Sequence, residues 1–228
     1  MEIPGKLYIV AVPIGNIEDI TLRAARTLKD CDVLVCEERR QGSKLLKCLG
    51  IHRNDILLLN EHTEKTISEE VIQLLLDGKN AAVFSDCGTP VFSDPGAHLI
   101  NKASRSGIQI IPIPGPSSLT AAISVLGFKL EKFVFGGFLP RSNAERQQEL
   151  EKLKLLNMPV VLMDTPYRMV RLLEEIAKVY GQKQEITLAC DMTQKTEEIY
   201  RGQVNVVLTN LKNQKSEFIV VIHNPENK

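Results

Sequence analysis

The sequence predicts an α/β protein of two units: a parallel-sheet α/β domain over residues 1–129 and an α+β domain over residues 130–228. Apolar runs alternate with amphipathic segments from residue 7 to residue 126, the pattern of parallel strands joined by crossover helices. Beyond residue 185 strand-like runs dominate. A chain of 228 residues, 43% of them hydrophobic, is also long enough to fill two cores.

In the first half, residues 7–12 form a strand closed by Pro13 and Gly15, and a helix to Asp30 follows. Asp19 is the expected N-cap, with Leu22, Ala25 and Leu28 facing inward. Residues 32–36 are a second strand that delivers Glu37-Glu38-Arg39-Arg40, with a short helix over 43–49. Residues 56–60 are a third, ending in Glu61-His62-Thr63-Glu64 before a helix through Leu76. The polar rim of a loop explains that tetrad better than a metal cluster does, because nothing else in the chain has ligand spacing.

Residues 81–84 are a buried fourth strand, followed by Ser85-Asp86-Cys87-Gly88-Thr89-Pro90-Val91-Phe92-Ser93-Asp94-Pro95-Gly96. Gly88 allows a sharp turn with the backbone close to a ligand, and Ser93 or Asp94 is the expected cap of a helix over 95–106. Residues 108–113 are the fifth strand, and Pro114-Gly115-Pro116-Ser117-Ser118 leads into a helix over 119–126. Its hydroxyls and N–H groups suit a polar or acidic ligand group. All these loops are expected on one rim, where open α/β sheets bind ligands.

The second half reads as a strand over 133–137, Phe138-Leu139-Pro140-Arg141, and a charged helix over 144–155. A strand over 159–163 follows, then Asp164-Thr165-Pro166-Tyr167-Arg168 and a helix to Tyr180. Residues 185–191, 197–201 and 217–223 are strands, with helix or loop over 203–211 and a polar tail over 224–228 that is expected to fray.

A formal net charge of zero gives no global field to hold the protein on bare nucleic acid or an anionic membrane, so any polyanion must be gripped locally. Five cysteines, an odd number without CxxC pairing, speak against a disulfide framework or zinc knuckle and for a reducing cytoplasm. No secretory leader or membrane-length apolar run is read, so a soluble, unprocessed protein is expected. The glycine signatures of dinucleotide folds and P-loops are missing, as is the G-x-S-x-G elbow of hydrolases.

The segment from Leu7 through Asn16 with Asp19-Ile20-Thr21-Leu22-Arg23, the 85–96 loop, Pro114-Gly115-Pro116-Ser117, Phe138-Leu139-Pro140-Arg141 and Pro166-Tyr167-Arg168 occur in that order. Together they resemble the tetrapyrrole methylases, the class III S-adenosylmethionine-dependent methyltransferases, over nearly the whole chain. Within the family the likeness is nearest to the branch that methylates a cytidine 2′-hydroxyl of small-subunit ribosomal RNA. The resemblance implies two α/β domains with S-adenosylmethionine in the cleft between them, usually in a homodimer. Carried over by position, the cofactor residues are Pro13, Ile14, Asp86, Gly88, Thr89, Ser117 and Ser118, with Met163 and Cys190 from the second domain.

The chain departs from the family's blocks at Glu37-Glu38-Arg39-Arg40, Met163-Asp164-Thr165-Pro166-Tyr167-Arg168 and Ala189-Cys190-Asp191-Met192-Thr193-Gln194, and Ser142 stands where a lysine is expected. It also stops without the branch's short C-terminal extension. A hydroxyl nucleophile gains from a base, and Glu37, His62 and Asp86 share the rim. Each also has a plainer reading: Glu37 pairing with Arg39 or Arg40, His62 solvated, Asp86 fixing its turn. An RNA substrate predicts Arg39, Arg40, Arg141, Arg146 and Arg168 as a basic patch near one cleft, with the small ribosomal subunit or its RNA as partner. A tetrapyrrole-type substrate predicts a deep apolar trough instead, and an inactive binding homologue is the third reading.

Overall fold

The computed structural model describes residues 3–224, and the polar tail beyond Asn224 lies outside them. The chain divides into Met1–Ser117 and Ser118–Lys228.

In the first unit the elements are β1 (Leu7–Val10), α1 (Leu22–Asp30), β2 (Val33–Cys36), α2 (Arg39–Cys48), β3 (Leu57–Leu58), α3 (Glu64–Leu76), β4 (Ala81–Phe84), α4 (Ala97–Arg105) and β5 (Ile110–Ile113). The sheet has the order β3-β2-β4-β1-β5 and every pairing is parallel. Alternate side chains are buried on opposite faces, as parallel sheets require. Leu7, Val33, Val35, Ala81 and Val83 pack with α3 and α4 through Val71, Leu75, Leu99 and Ala103. Val10, Leu34, Cys36, Ala82 and Phe84 pack with α1 and α2 through Ala24, Leu28 and Leu46. Each fully buried leucine or valine stabilises this arrangement by about 1.5–3 kcal/mol.

Three local expectations are corrected. Residues Ile17–Asp19 form a short 3-10 turn capped by Asn16, so Thr21, and not Asp19, caps α1, its hydroxyl accepting from Ala24 N at 3.0 Å. The buried face of α1 is accordingly Ala24 and Leu28, while Leu22 is exposed. Helix α2 starts at Arg39 and runs through Gly42. A Cβ on Gly42 would lie 2.6 Å from Cys36 Sγ, so this glycine lets the helix close on β2 instead of breaking it.

The third correction concerns α4. Its N-cap is Gly96, without a side-chain bond of its own. Glu64 supplies the acceptor from the first turn of α3: its Oε1 takes Gly96 N at 2.7 Å and His98 N at 3.1 Å. A carboxylate on the free N–H groups of a helix start also meets the positive end of the helix dipole. Glu64→Ala is expected to lower stability by about 1–2 kcal/mol. Thermal denaturation should show a drop of roughly 2–4 °C for each kcal/mol.

The second unit contains α5 (Ser118–Ser124), β6 (Val134–Phe138), α6 (Asn143–Leu155), β7 (Val160–Asp164), α7 (Met169–Tyr180), β8 (Glu185–Cys190), β9 (Glu198–Gln203), α8 (Val204–Asn210) and β10 (Phe218–Ile222). Its sheet has the order β6-β7-β10-β8-β9. Only β6 and β7 run parallel; β10 is antiparallel to β7 and β8, and β9 to β8. One face packs on α6, α7 and α8 through Leu150, Leu172, Ile176 and Val207. The other takes α5 and the segment after it, with Ala122 and Leu126 against Val161, Ala189 and Ile219.

Candidate functional site

The sheet order of the first unit locates its site. From β1 the chain moves outward to β2 and β3 through α1 and α2 on one face. It returns to β4 and β5 through α3 and α4 on the other. The neighbours β1 and β4 therefore send their following loops to opposite faces, which opens a crevice outside their carboxyl ends, the place where such sheets bind ligands.

Hydrogen bonds that end on main-chain carbonyls stitch the loops at that crevice. Val12 N donates to Gly88 O at 2.9 Å, which makes an isolated antiparallel bridge beyond the parallel strands. The Cys87 thiol donates to Ile14 O at 3.4 Å, and Thr89 Oγ1 donates to Pro116 O at 3.2 Å. Buried Ser85 holds the turn from within, its hydroxyl on Cys87 O at 3.0 Å and Gly88 O at 3.3 Å. Gly88 has φ +74°, and a Cβ there would lie 3.3 Å from Ile14 Cγ2 and 3.7 Å from Pro116 O. The loops after β1, β4 and β5, bearing Pro13, Ile14, Asp86, Gly88 and Thr89, are thus brought together. Ser117 ends this unit and Ser118 opens α5 in the next.

The adjoining rim is acidic. Asp86 Oδ1 accepts from Glu38 N at 3.2 Å, which ties the loop after β4 to the loop after β2. Glu37 is half-buried beside a small cavity lined also by Cys36, Leu59, Ser85, Pro90 and Asp94. Burial, then the charges of Asp94 and Asp86, push its carboxyl above the usual range. Burial, with Asp86 adding, raises the Asp94 carboxyl to about 6. Arg39 donates to Asn54 O and Ile56 O, each at 3.1 Å, and Arg40 is exposed. His62 follows the edge strand β3, about 10 Å from β4 at two strand spacings. It is exposed, with Nε2 3.4 Å from Glu61 Oε1.

In the second unit the carboxyl ends of β6, β7 and β8 share one rim with the entry to β10. Met163, near the end of β7, pairs with Ile219 and Phe138. Cys190 ends β8 with its thiol in the core, 3.8 Å from Met169 Sδ, and burial followed by Asp191 and Glu198 raises it to about 12. Arg146 cannot join a surface patch, because it is buried. Its Nε donates to Glu175 Oε2 and its Nη2 to Glu175 Oε1 at 2.6 Å. Further bonds reach Asn143 Oδ1 at 3.0 Å and the carbonyls of Pro140 and Arg141 at 3.1 Å. Arg168 also turns inward, with Nη2 donating to Pro140 O at 3.0 Å and Nε 3.2 Å from Asp164. Arg141 alone of these three is exposed.

Residues 6–207 match the tetrapyrrole (corrin/porphyrin) methylases. The chain belongs to that family. It is 39% identical over 224 residues to the ribosomal RNA small subunit methyltransferase I of Thermotoga maritima, across 97% of this chain and 100% of that one. With the protein of the same name from Bacillus subtilis the identity is 34% over 226 residues, 98% of this chain and 77% of the other. The fold of this tetrapyrrole methylase is also that of the uroporphyrin-III-C-methyltransferase from Thermus thermophilus, with TM-score 0.64, 20% identity, and 96% and 94% of the two chains covered. A putative diphthine synthase from Entamoeba histolytica gives TM-score 0.69 at 16% identity, covering 98% and 94%.

Two site features of this tetrapyrrole methylase escape the sequence reading. Ser85 anchors the turn from inside, and its place directly after a buried strand was the available signal. Asp94, read as a helix cap, is instead a raised carboxyl facing the same cavity as Glu37. Among the described residues no group of three or more His, Cys, Asp or Glu could hold a metal ion, and no helix is long and apolar enough to cross a membrane.

Proposed function

We propose that this tetrapyrrole methylase transfers a methyl group from S-adenosylmethionine to a ribose 2′-hydroxyl of small-subunit ribosomal RNA. The observation that carries the reading is the end-to-end 39% identity with a relative of that name. The loops of the first unit fit the cofactor. Gly88 keeps a cradle open that a Cβ would fill, and its rim offers main-chain groups, the Thr89 hydroxyl and the Asp86 carboxylate to a ligand with amino, carboxylate and hydroxyl groups. Pro13, Ile14, Asp86, Gly88, Thr89, Ser117 and Ser118 would hold it, with Met163 and Cys190 carried over from the family. The Cys190 thiol faces Met169 in the core, so that residue would serve through its backbone.

When bound, the cofactor supplies a methyl group on a sulfonium, already a good leaving group. The chain's task is then to fix the acceptor hydroxyl in line, exclude water and receive a proton. Glu37 suits the last role: it is half-buried on the rim next to the stitched loops, and its raised carboxyl is a stronger base than an exposed glutamate. His62, exposed beyond the edge strand, is the weaker alternative. Arg40 and Arg141 keep exposed charges for phosphates, whereas the guanidinium groups of Arg39 and Arg168 are bonded within the fold. The same resemblance supports a cytoplasmic homodimer.

The test is tritiated-methyl transfer from the cofactor to small subunits, free RNA and tetrapyrroles, followed by nuclease digestion and mass spectrometry. Label is expected on a ribose of RNA within the subunit, with free RNA a poor acceptor because a neutral chain engages few phosphates. Label on a tetrapyrrole or on a base would overturn the assignment.

A further inference from the structure

Three aromatic side chains are exposed among the described residues: Phe92 at 46%, Phe138 at 52% and Tyr167 at 79%. Two of them lie on one rim of the second unit. Phe138 ends β6, Tyr167 follows β7, and these strands are parallel neighbours, with Phe138 paired to Met163. Arg168 joins the two loops by donating to Pro140 O at 3.0 Å, and buried Arg146 holds the carbonyls of Pro140 and Arg141. Lys215, on the approach to β10, puts its ammonium 3.5 Å from the Tyr167 ring centroid, which occupies one ring face and leaves the other to solvent. The exposed side chain of Arg141 adds a second cation.

We propose that Phe138 and Tyr167 form a stacking platform for unpaired nucleotides of the RNA substrate, with Lys215 and Arg141 meeting the flanking phosphates. Exposed aromatic faces beside cations are the usual means of holding single-stranded RNA, because every base has a π-face and every linkage a charge. A 2′-hydroxyl in structured RNA becomes reachable when its nucleotide is drawn out of the stack, and the displaced bases then need a partner. The loops are pinned through the guanidinium groups of Arg146 and Arg168, so the platform is preformed and little ordering entropy is lost on binding. This inference rests on the RNA reading above and deepens it: it names which part of the second unit takes the substrate, and it moves the binding role from Arg168 to its neighbour.

The experiment uses Tyr167→Leu, Phe138→Leu and the double variant, which keep apolar bulk and lose the ring, with Tyr167→Phe as the conservative change. Leu155→Ser, an exposed position at the opposite end of the sheet, is the control. Loss of one base stack weakens binding by about 5- to 150-fold. The KM for small subunits should rise within that range in each leucine variant and further in the double variant. The kcat and the calorimetric affinity for S-adenosylmethionine should stay within about twofold, Tyr167→Phe should restore KM, and Lys215→Ala should flatten the salt dependence of kcat/KM by about one unit of slope. An unchanged KM in the double variant would overturn the platform, as would ultraviolet crosslinks from Tyr167 to a ribosomal protein instead of RNA. If wild type fails to methylate small subunits, the parent reading fails by itself. Anisotropy with a labelled single-stranded RNA oligonucleotide then decides the platform: weaker binding by the double variant supports it, and equal binding rejects it.

Discussion

Replacing Gly88 by valine is expected to abolish binding of S-adenosylmethionine while leaving the protein folded. The residue sits at φ +74°, where a β-branched side chain is strained by about 1–3 kcal/mol. Its first side-chain carbon would press on Ile14 Cγ2 at 3.3 Å and face Pro116 O at 3.7 Å. To relieve this, the turn would have to give up the Val12 N to Gly88 O bond that joins the two loops. Calorimetry should show affinity lowered by at least about 100-fold, the consequence of roughly 3 kcal/mol, with circular dichroism unchanged. Gly88→Ala should fall between, since alanine bears the strain without the branch. Full affinity in a folded Gly88→Val protein would remove these loops from the cofactor site.

The second large effect is on stability. Arg146 is buried and directs bonds from Nε, Nη1 and Nη2 to Glu175, Asn143 and the carbonyls of Pro140 and Arg141. Removing one partner of a buried ion pair leaves the other uncompensated, so Arg146→Ala is expected to cost about 3–5 kcal/mol, or roughly 10 °C in melting temperature for a chain of this size. Burial acts to raise the Glu175 carboxyl, but the hydrogen bonds and charges of Arg146 and Arg171 hold it below its ordinary 4.5. A lowered carboxyl contributes stability that is present above its unfolded value and lost as the pH falls through the folded one. The gap between wild type and variant should therefore narrow as the pH drops below 4.5. The double variant Arg146→Met, Glu175→Leu should recover part of the loss, because it removes both charges but still leaves the two loop carbonyls unmet. A single variant as stable as wild type would show that the ion pair and the loop bonds contribute nothing net.

Those two residues differ in how well the sequence announces them. Gly88, between a buried strand and a proline, is visible as a turn glycine from its neighbours alone. Arg146 lies in a segment of alternating charges that reads as a solvated helix, yet it precedes Leu150 by four positions and Leu153 by seven, and all three are buried. The periodicity that would have placed it inward was there, masked by the residue's charge. Helix caps divide along the same line. Asn16 and Thr21 cap from within their own segments, and only the intervening 3-10 turn misdirects the reading to Asp19. Glu64 caps a helix 32 residues further on, and no local pattern encodes a bond of that span. Strand identity is legible throughout because both faces of the first sheet are apolar. The order β3-β2-β4-β1-β5, which creates the crevice, comes from crossovers that span the whole unit.

The bridge between Val12 and Gly88 bears on how such a site withstands drift. The bonds that join its loops end on main-chain atoms: Gly88 O receives Val12 N, Ile14 O receives the Cys87 thiol and Pro116 O receives the Thr89 hydroxyl. Exchanging Val12, Ile14 or Pro116 for another residue leaves these acceptors and the Val12 donor in place, with proline at position 12 the one exception. Selection can then rewrite exposed side chains such as Glu38 and Arg40 without dismantling the floor beneath. An ancestral frame of this kind can be handed from one methyl acceptor to another, with the acceptor chosen by the residues that hang from it.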